Sequence, residues 1–407
     1  MVRSTHILLL ICTTWIGLAV ASAEDLPPLP VAPPASEYQP PANRSLEMQC
    51  FDKALLWLCS AQEHDGHWSA AKSGASPEYS GINGDITITA LASQALVCSS
   101  QGKVQNPIAL AHARRGLDWL LNHVQPDGRI ADETAPGDPV FAQLFAASVF
   151  LQTSSMSTRP RLREAATSTI VYALKNLSGP SGGFGATPKA AEIRTDATGL
   201  ATYLFASARM DEIKFDGKDA PTTPAKPKPE AEIEKNIKAA LKSLMFGDDK
   251  KSHNYFEKST DKEPSWDGTL SGLMSQTLLL MTLSEMKSGF EFVFGPLDEK
   301  TQTYPVLQQH MNWGKAGEGY RAMSLWQGTV GVTYNYSENT PQLKNWVASA
   351  HSILFVHQDK DGGWAVSGPD TAHGKVYRTA LHALTLVWMA PPPVPTPPPS
   401  DPNAPPQ

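Results

Sequence analysis

KALLWLCSAQEHDGHW, residues 53–68, returns near the other end of the chain as SAHSILFVHQDKDGGW, residues 349–364. Leu58, Gln62, Asp65, Gly66 and Trp68 of the first stretch match Leu354, Gln358, Asp361, Gly362 and Trp364 of the second at identical spacing. Between them RGLDWLLNHVQPDGRI (115–130) keeps Gln125, Asp127 and Gly128. Two weaker copies follow, YALKNLSGPSGGFG (172–185) and ALKSLMFGDDKKSHNYF (240–256), the last with Tyr255 at the aromatic position. Self-similarity at a fixed period marks an array of one supersecondary unit. The aromatic or equivalent positions 68, 130, 184, 255 and 364 leave one gap of about two periods, which predicts a degenerate copy inside it. Six units of roughly 58 residues then fill residues 42–390.

Each unit holds two kinds of helix. The one before the turn is amphipathic: in residues 50–61, Cys50, Ala54, Trp57, Leu58 and Ala61 follow helical spacing. Equivalent segments place Arg114, Arg115, Lys235, Lys238 and Lys242 on the other face. The one after the turn is apolar nearly all round, as in residues 86–97, 140–151, 270–283 and 379–389. A helix apolar on every side is buried on every side. Alternating half-buried and wholly buried helices predict two concentric layers, six inner and six outer, closed into a ring. The turn follows from its residues. Asp-Gly permits a tight reversal, the Gln amide can bond free backbone groups where the outer helix ends, and the aromatic covers that end. Gln62, Gly66, Trp68, Gln125, Gly128, Gln358, Gly362 and Trp364 are therefore assigned structural roles.

The two ends differ from this middle. Arg3, an apolar run from Ile7 to Val20 and Ala21-Ser22-Ala23 form a secretory signal pattern, so residues 1–23 are excluded from the fold and the chain is expected to be exported. Residues 27–41 carry seven prolines and residues 391–407 carry ten, half of the 34 in the chain. Residues 24–44 are thus expected to be a linker and 391–407 a disordered tail. A Pro/Lys-rich loop insertion is expected at about 211–230. No later segment is long and apolar enough for an integral membrane span, and a net charge of −6 favours no nucleic acid partner. Of four cysteines, Cys50, Cys59 and Cys98 survive signal cleavage. They show no metal spacing, and one disulfide or three buried thiols both fit.

The Gln–Gly–Trp repeat resembles the QW motif of squalene and oxidosqualene cyclases. The paired-helix ring is similar to the α/α-toroid of those cyclases, protein prenyltransferase β subunits and thioester-containing complement proteins. The resemblance spans roughly residues 45–390 and implies a single toroid, but each branch's chemistry is missing. The acidic DxDD of squalene–hopene cyclases is absent, and Gly247-Asp248-Asp249-Lys250-Lys251 lacks its pattern. The prenyltransferase zinc site needs a Cys two residues after an Asp, where Thr269 follows Asp267, and Arg378 stands near the position of its His ligand. Cys59-Ser60-Ala61-Gln62 has thioester spacing, but Gln62 belongs to the repeat. No metal and no cofactor is expected.

Asp85, Asp138, Asp196 and Asp267 stand at the expected starts of inner helices, around the mouth of a toroid. They could cap those helices, bind a polar ligand, or supply a general acid. Asp267 and Asp196 are the catalytic candidates. Asp85 and Asp138, with Tyr320, Arg321 and Trp326 from the aromatic stretch 313–326, are the ligand-binding candidates. His382 reads as a core histidine. The leading functional expectation is an exported, non-catalytic binding or scaffold toroid with an unknown ligand or protein partner. The alternatives are a terpenoid cyclase with an atypical Asp acid, its cations stabilised by aromatics, and a polysaccharide-acting enzyme with paired carboxylates.

Overall fold

A computed structural model describes residues 44–99, 106–211, 213, 229–247, 253–312 and 320–390. The expected signal sequence, both proline-rich stretches, Asp248, Asp249, residues 313–319 and most of the expected insertion lie outside the described residues. Thirteen α-helices follow one another in the described chain. They are α1 Leu46–Ser60, α2 Ile82–Cys98, α3 Pro107–His123, α4 Pro139–Ser154, α5 Pro160–Asn176, α6 Thr195–Met210 and α7 Pro229–Leu244. The remainder are α8 Trp266–Leu278, α9 Lys287–Phe294, α10 Pro305–His310, α11 Ala322–Asn335, α12 Pro341–Leu354 and α13 Gly374–Met389. Among the described residues β-pairing is limited to isolated bridges.

The inner layer is α2, α4, α6, α8, α11 and α13. Each packs on the next, and α13 returns to α2 and α1, which closes the ring. The closed α/α-toroid of six units is the architecture that the helix alternation predicts. Inner helices are buried as the all-round apolar runs require: α4 is buried without interruption from Pro139 to Leu151. The degenerate unit is α9 and α10 followed by α11. Its outer layer is broken into helices of 8 and 6 residues. Tyr304, Tyr336 and Trp346 surround Phe294 there and fill the space a longer helix would take.

The turns explain why the units stack. Gly66, Gly128, Gly182, Gly247 and Gly362 all have φ between 83° and 104°, a region that favours glycine. A Cβ on Gly66 would come within 2.6 Å of the Arg115 carbonyl of the following outer helix. On Gly362 it would come within 2.3 Å of the Lys53 carbonyl, across the ring closure. The glycine is therefore where one unit's turn touches the next unit's backbone. The Gln amide works there too. Gln62 Nε2 donates to Gly66 O at 2.7 Å and to His112 O at 2.9 Å. Gln358 Nε2 donates to Gly362 O at 2.9 Å and to Cys50 O at 2.8 Å.

Two details of the turn differ from expectation. The outer-helix end is capped by the indole, not the Gln: Trp68 Nε1 donates to Leu58 O at 2.8 Å and Trp364 Nε1 to Leu354 O at 2.9 Å. Gln125 does not bridge units, since its Nε2 reaches only His123 O. Gln143 of α4 takes that role, donating to Gly128 O at 2.9 Å and Thr169 O at 3.1 Å. Pro126, directly after Gln125, and Gln143 at the matching site of the inner helix account for the exchange. In four other units that inner-helix site is threonine, and its hydroxyl accepts the N–H of the aromatic position. The pairs are Trp68–Thr89, Phe184–Thr198, Tyr255–Thr269 and Trp364–Thr379, at 3.0–3.1 Å. In the second unit Gln143 Oε1 accepts from Ile130 N at 2.9 Å.

The apolar run 270–283 is not helical to its end. α8 stops at Leu278, and Leu280 turns into the left-handed region at φ 63°. Leu280 N bonds Thr277 O and Met281 N bonds Gln276 O, the Schellman pattern, with leucine where glycine is usual. Cys50, Cys59 and Cys98 are free and buried, and burial pushes the Cys59 thiol up to about 12.

Candidate functional site: the charged mouth of the ring

All six inner helices begin at one face, so six positive helix ends converge around its centre. The chain answers with carboxylates. Asp138 is the N-cap of α4, its Oδ1 accepting from Val140 N at 3.1 Å and Phe141 N at 3.0 Å. Asp196 Oδ1 accepts from Ala197 N at 2.7 Å. Asp85 reaches sideways to Ala70 N at 2.7 Å. Asp267 has no backbone bond among the described residues, because Ser265 takes the cap of α8, accepting Gly268 N at 2.8 Å. Of the four aspartates, then, only Asp138 caps in the ordinary way.

At α6 and α11 the N-cap position is arginine, Arg194 and Arg321. Arg194 grips Asp196 with Nη2 at 2.6 Å and Nε at 3.0 Å, and reaches Asp138 with Nη1 at 3.1 Å. Arg321 Nη1 pairs with Glu257 at 2.7 Å, while its Nε lies 3.7 Å from Asp267 Oδ2. The free amide of α11 is instead capped by Asp370, whose Oδ2 accepts Ala322 N at 2.9 Å. Behind it, Arg378 Nη2 donates to Tyr320 Oη at 3.1 Å, and that oxygen lies 3.0 Å from His382 Nε2. His373 lies between Tyr79, tilted by 40° at a ring-centroid distance of 4.3 Å, and Tyr377, stacked at 4.6 Å.

Burial sets the protonation of this face. It pushes Asp138 up to about 7 against the pull of Arg194, whose guanidinium is chiefly committed to Asp196. It pushes Asp267 up to about 6, against the pull of Arg321 and the Ser324 hydroxyl. It pushes His373 down to about 4, helped by Arg194 and Arg321. Two carboxyls titrating near neutrality beside a neutral imidazole give the mouth both proton donors and acceptors.

The space is small. A cleft of about 20 Å³ lies between the starts of α2, α4 and α13, lined by Tyr79, Asp138, Phe141, His373 and Tyr377 among others. A second, about 10 Å³, lies between α6, α8 and α11, lined by Asp196, Glu257, Asp267, Ser271, Arg321 and Ser324 among others. At about 10–15 Å³ for a water, the first has room for one or two and the second for one at most. Beneath the second cleft Gln327, wholly buried, ties three inner helices together: its Nε2 reaches Asp196 O of α6 at 3.2 Å and its Oε1 accepts from Ser271 of α8. Gly199 admits this crossing, since a Cβ there would stand 3.1 Å from Gln327 Nε2.

The ring thus brings Asp138, Asp196, Asp267 and Arg321 to one face. Asp85 sits at its edge, its carboxylate turned to the Ala70 amide. Tyr320 and Trp326 are each 2% exposed and belong to the core behind the mouth. Glu257, Asp370, Arg194, His373, Tyr377 and Tyr79 complete the face and lie outside the repeat. One signal marks Arg194: arginine precedes an inner helix at 194 and 321, where the other four starts read glycine, aspartate, serine and histidine.

No protein-family model and no curated protein sequence matches the chain. Solved structures share its fold at low identity. The GH76A α-1,6-mannanase from Salegentibacter sp. HEL1_6 superposes with TM-score 0.57 and 10% identity over 84% of this chain and 98% of that one. The type II terpene cyclase MstE from Scytonema, solved as a point variant with its substrate geranylgeranyl dihydroxybenzoate, gives TM-score 0.51 and 13% identity over 84% of this chain and 96% of that one. A possible GH105 member from Salmonella enterica gives TM-score 0.50 and 11% identity, covering 89% of this chain and 98% of that one. Neighbours with different chemistries support the ring and nothing narrower.

Proposed function

We propose that the chain is an exported toroid that acts by binding at its charged mouth and does not cyclise isoprenoids. One observation carries this reading: the inner helices are buried on every side, α2 from Ile86 to Cys98 and α4 from Pro139 to Leu151, and the two clefts at the mouth offer about 20 and 10 Å³. A cyclase must enclose a long apolar chain against aromatic walls, and ligand pockets of drug size need roughly 300 Å³ or more. Trp326 and Tyr320, the aromatics such a reaction would call on, are packed inside the core. Among the described residues no helix is long and apolar enough to cross a membrane. Export rests on the N-terminal pattern. Fractionation with N-terminal sequencing is expected to find a chain beginning at Glu24 outside the cytoplasm, and an intact chain retained inside overturns that part.

Hydrogen–deuterium exchange of the protein, with and without the small-solute fraction of a cell envelope, tests the binding reading. Protection is expected at residues 194–199, 267–272 and 320–324. Protection confined to the outer helices α3 and α5 overturns it, as does product formation from squalene or geranylgeranyl diphosphate. A polysaccharide-acting enzyme is the second reading, favoured by Asp267 and Glu257 converging on one arginine. Release of reducing ends from α-1,6-mannan, lost in Asp267→Asn, would replace the first reading by the second.

A further inference from the structure

The mouth as it stands admits water and little more, so a larger ligand needs the ring to give way somewhere. The six inner seams are not equally firm. α4 and α6 are the most loosely packed of the six neighbouring pairs. Gly199 turns the bare side of α6 toward α8 and α11, where a Cβ would stand 3.2 Å from Ser271 O and 3.1 Å from Gln327 Nε2. The start of α6 leans the same way: Thr195 N donates to Glu257 O at 2.9 Å, and Asp196 O accepts from Gln327 Nε2. Held to its later neighbours, α6 stands off from α4. A seam with few packed contacts is where local opening costs least.

Other seams are tied at the mouth by short bonds to backbone. Asn83 of α2 donates to Asp132 O at 2.6 Å and accepts from Asp132 N at 2.9 Å, ahead of α4. Lys375 N of α13 donates to Ser73 O at 2.8 Å, ahead of α2. The α4–α6 seam is crossed by a side chain long enough to swing. Arg194 Nη1 donates to Asp138 Oδ2 at 3.1 Å, and its guanidinium carbon lies 5.0 Å from the centre of the Phe141 ring. The same guanidinium makes two bonds to Asp196 on its own helix, at 2.6 and 3.0 Å. Letting go of Asp138 therefore costs one charged hydrogen bond and a cation–π contact, and leaves Arg194 paired. Asp138 keeps its two backbone donors, Val140 N and Phe141 N. Both sides of the tie can part without stranding a charge. Asp138 and Phe141 also line the larger cleft, so moving α4 away from α6 enlarges the space beside them.

The geometry points to the α4–α6 seam as the entry gate of the mouth, with Arg194 as its latch on Asp138 and Phe141. This gate rests on the mouth-binding reading and says where that mouth opens. Opening exchanges non-covalent contacts only, with no bond made or broken.

Distances between paired spin labels on the full chain test it. Cys12→Ser leaves Cys50, Cys59 and Cys98, all buried, so labels go to added cysteines. Thr134→Cys with Ala191→Cys spans the seam, and Ala191→Cys with Lys262→Cys spans α6 and α8 as the control; all three positions are exposed. In Arg194→Gln the seam pair is expected to show a longer distance, populated severalfold more than with Arg194 in place, while the control pair stays unchanged. Should Arg194→Gln misfold, Phe141→Leu keeps the ion pair, removes the ring beside the guanidinium and should give the same change to a smaller extent. Glu291→Gln, on the exposed face of α9, should alter neither pair. A seam pair that no variant moves overturns the latch, as does equal widening of both pairs, and the exchange experiment above then decides the mouth separately. Opening of the seam without protection of the mouth in that exchange experiment overturns the mouth reading and the entry role together.

Discussion

The loops that join outer to inner helices carry two regions built on opposite plans. Their outer edge is a ring of turns, nearly alike from unit to unit. Their inner edge is the mouth, where the six helix starts carry five different residue types. At the turns a left-handed glycine recurs in five units, and a threonine hydroxyl receives the aromatic residue's N–H in four. At the mouth Asp138 caps its helix, Ser265 caps the next but one, and Arg194 and Arg321 occupy cap positions without capping. Repetition survives where each unit must meet its neighbour in the same way. It is lost where six helix ends converge on one small space and each meets different neighbours.

The largest expected effect probes the turns at the ring closure. Gly362→Ala should cost about 4 kcal/mol, from left-handed strain of about 1–2 kcal/mol and a carbonyl that cannot retreat. Gly74→Ala, with positive φ but open space around it, should cost only about 1 kcal/mol. Urea unfolding of both variants measures the difference, and equal losses would mean that the approach to Lys53 is unimportant. Next, Gln143→Ala should cost about 2–3 kcal/mol, because it strands buried backbone groups. Gln125→Ala should stay within about 0.5 kcal/mol. The reverse order would show that the second unit is stapled by its own turn after all.

The mouth is tested by pH. Asp138 is held at about 7 in the fold, against about 4 in the unfolded chain. Between those values the folded state binds more protons, so this group lowers stability as pH climbs from about 4 to about 7 and adds nothing beyond. Asp138→Asn keeps an acceptor at the cap and removes the titration. Relative to wild type it should gain about 2 kcal/mol between about pH 5 and about pH 8. His373 and His112, both pushed down to about 4, act in the opposite sense. They are present in both proteins and cancel in the difference. A flat difference would show that Arg194 keeps Asp138 ionised throughout. The smallest change lies away from both regions: Leu280→Gly should raise stability by about 1 kcal/mol by relieving a left-handed leucine that is 68% exposed. Thermal unfolding measures it, and a loss would mean that the leucine packs against something on that face.

Much of the ring was legible before any coordinates, and for a local reason. Trp68 and Trp364 cap helix ends ten residues before them, at Leu58 O and Leu354 O, so their spacing carries that role. Gln143 was not legible as a staple. Its partners, Gly128 O and Thr169 O, lie 15 and 26 residues away on different elements. The mouth was half legible. The aspartates mark the helix starts, but whether each caps depends on what stands beside it in the ring. Asp370, 48 residues after the amide it caps, has no counterpart in the repeat. Tyr320 and Trp326 resembled a cavity wall and are core, because composition alone does not tell a lined hole from a filled one.

The sequence by itself determined the unit, its number and its alternation of half-buried and buried helices. Those depend on hydrophobic period and on turn residues, which are properties of neighbours along the chain. Only the tertiary structure decided that Gln327 ties α6, α8 and α11 together and that Arg321 is shared between Glu257 and Asp267. Both follow from side chains brought together across the ring, Gln327 against Asp196 over 131 positions and Arg321 against Asp267 over more than fifty. Closing the ring creates those distances, and no local pattern encodes them.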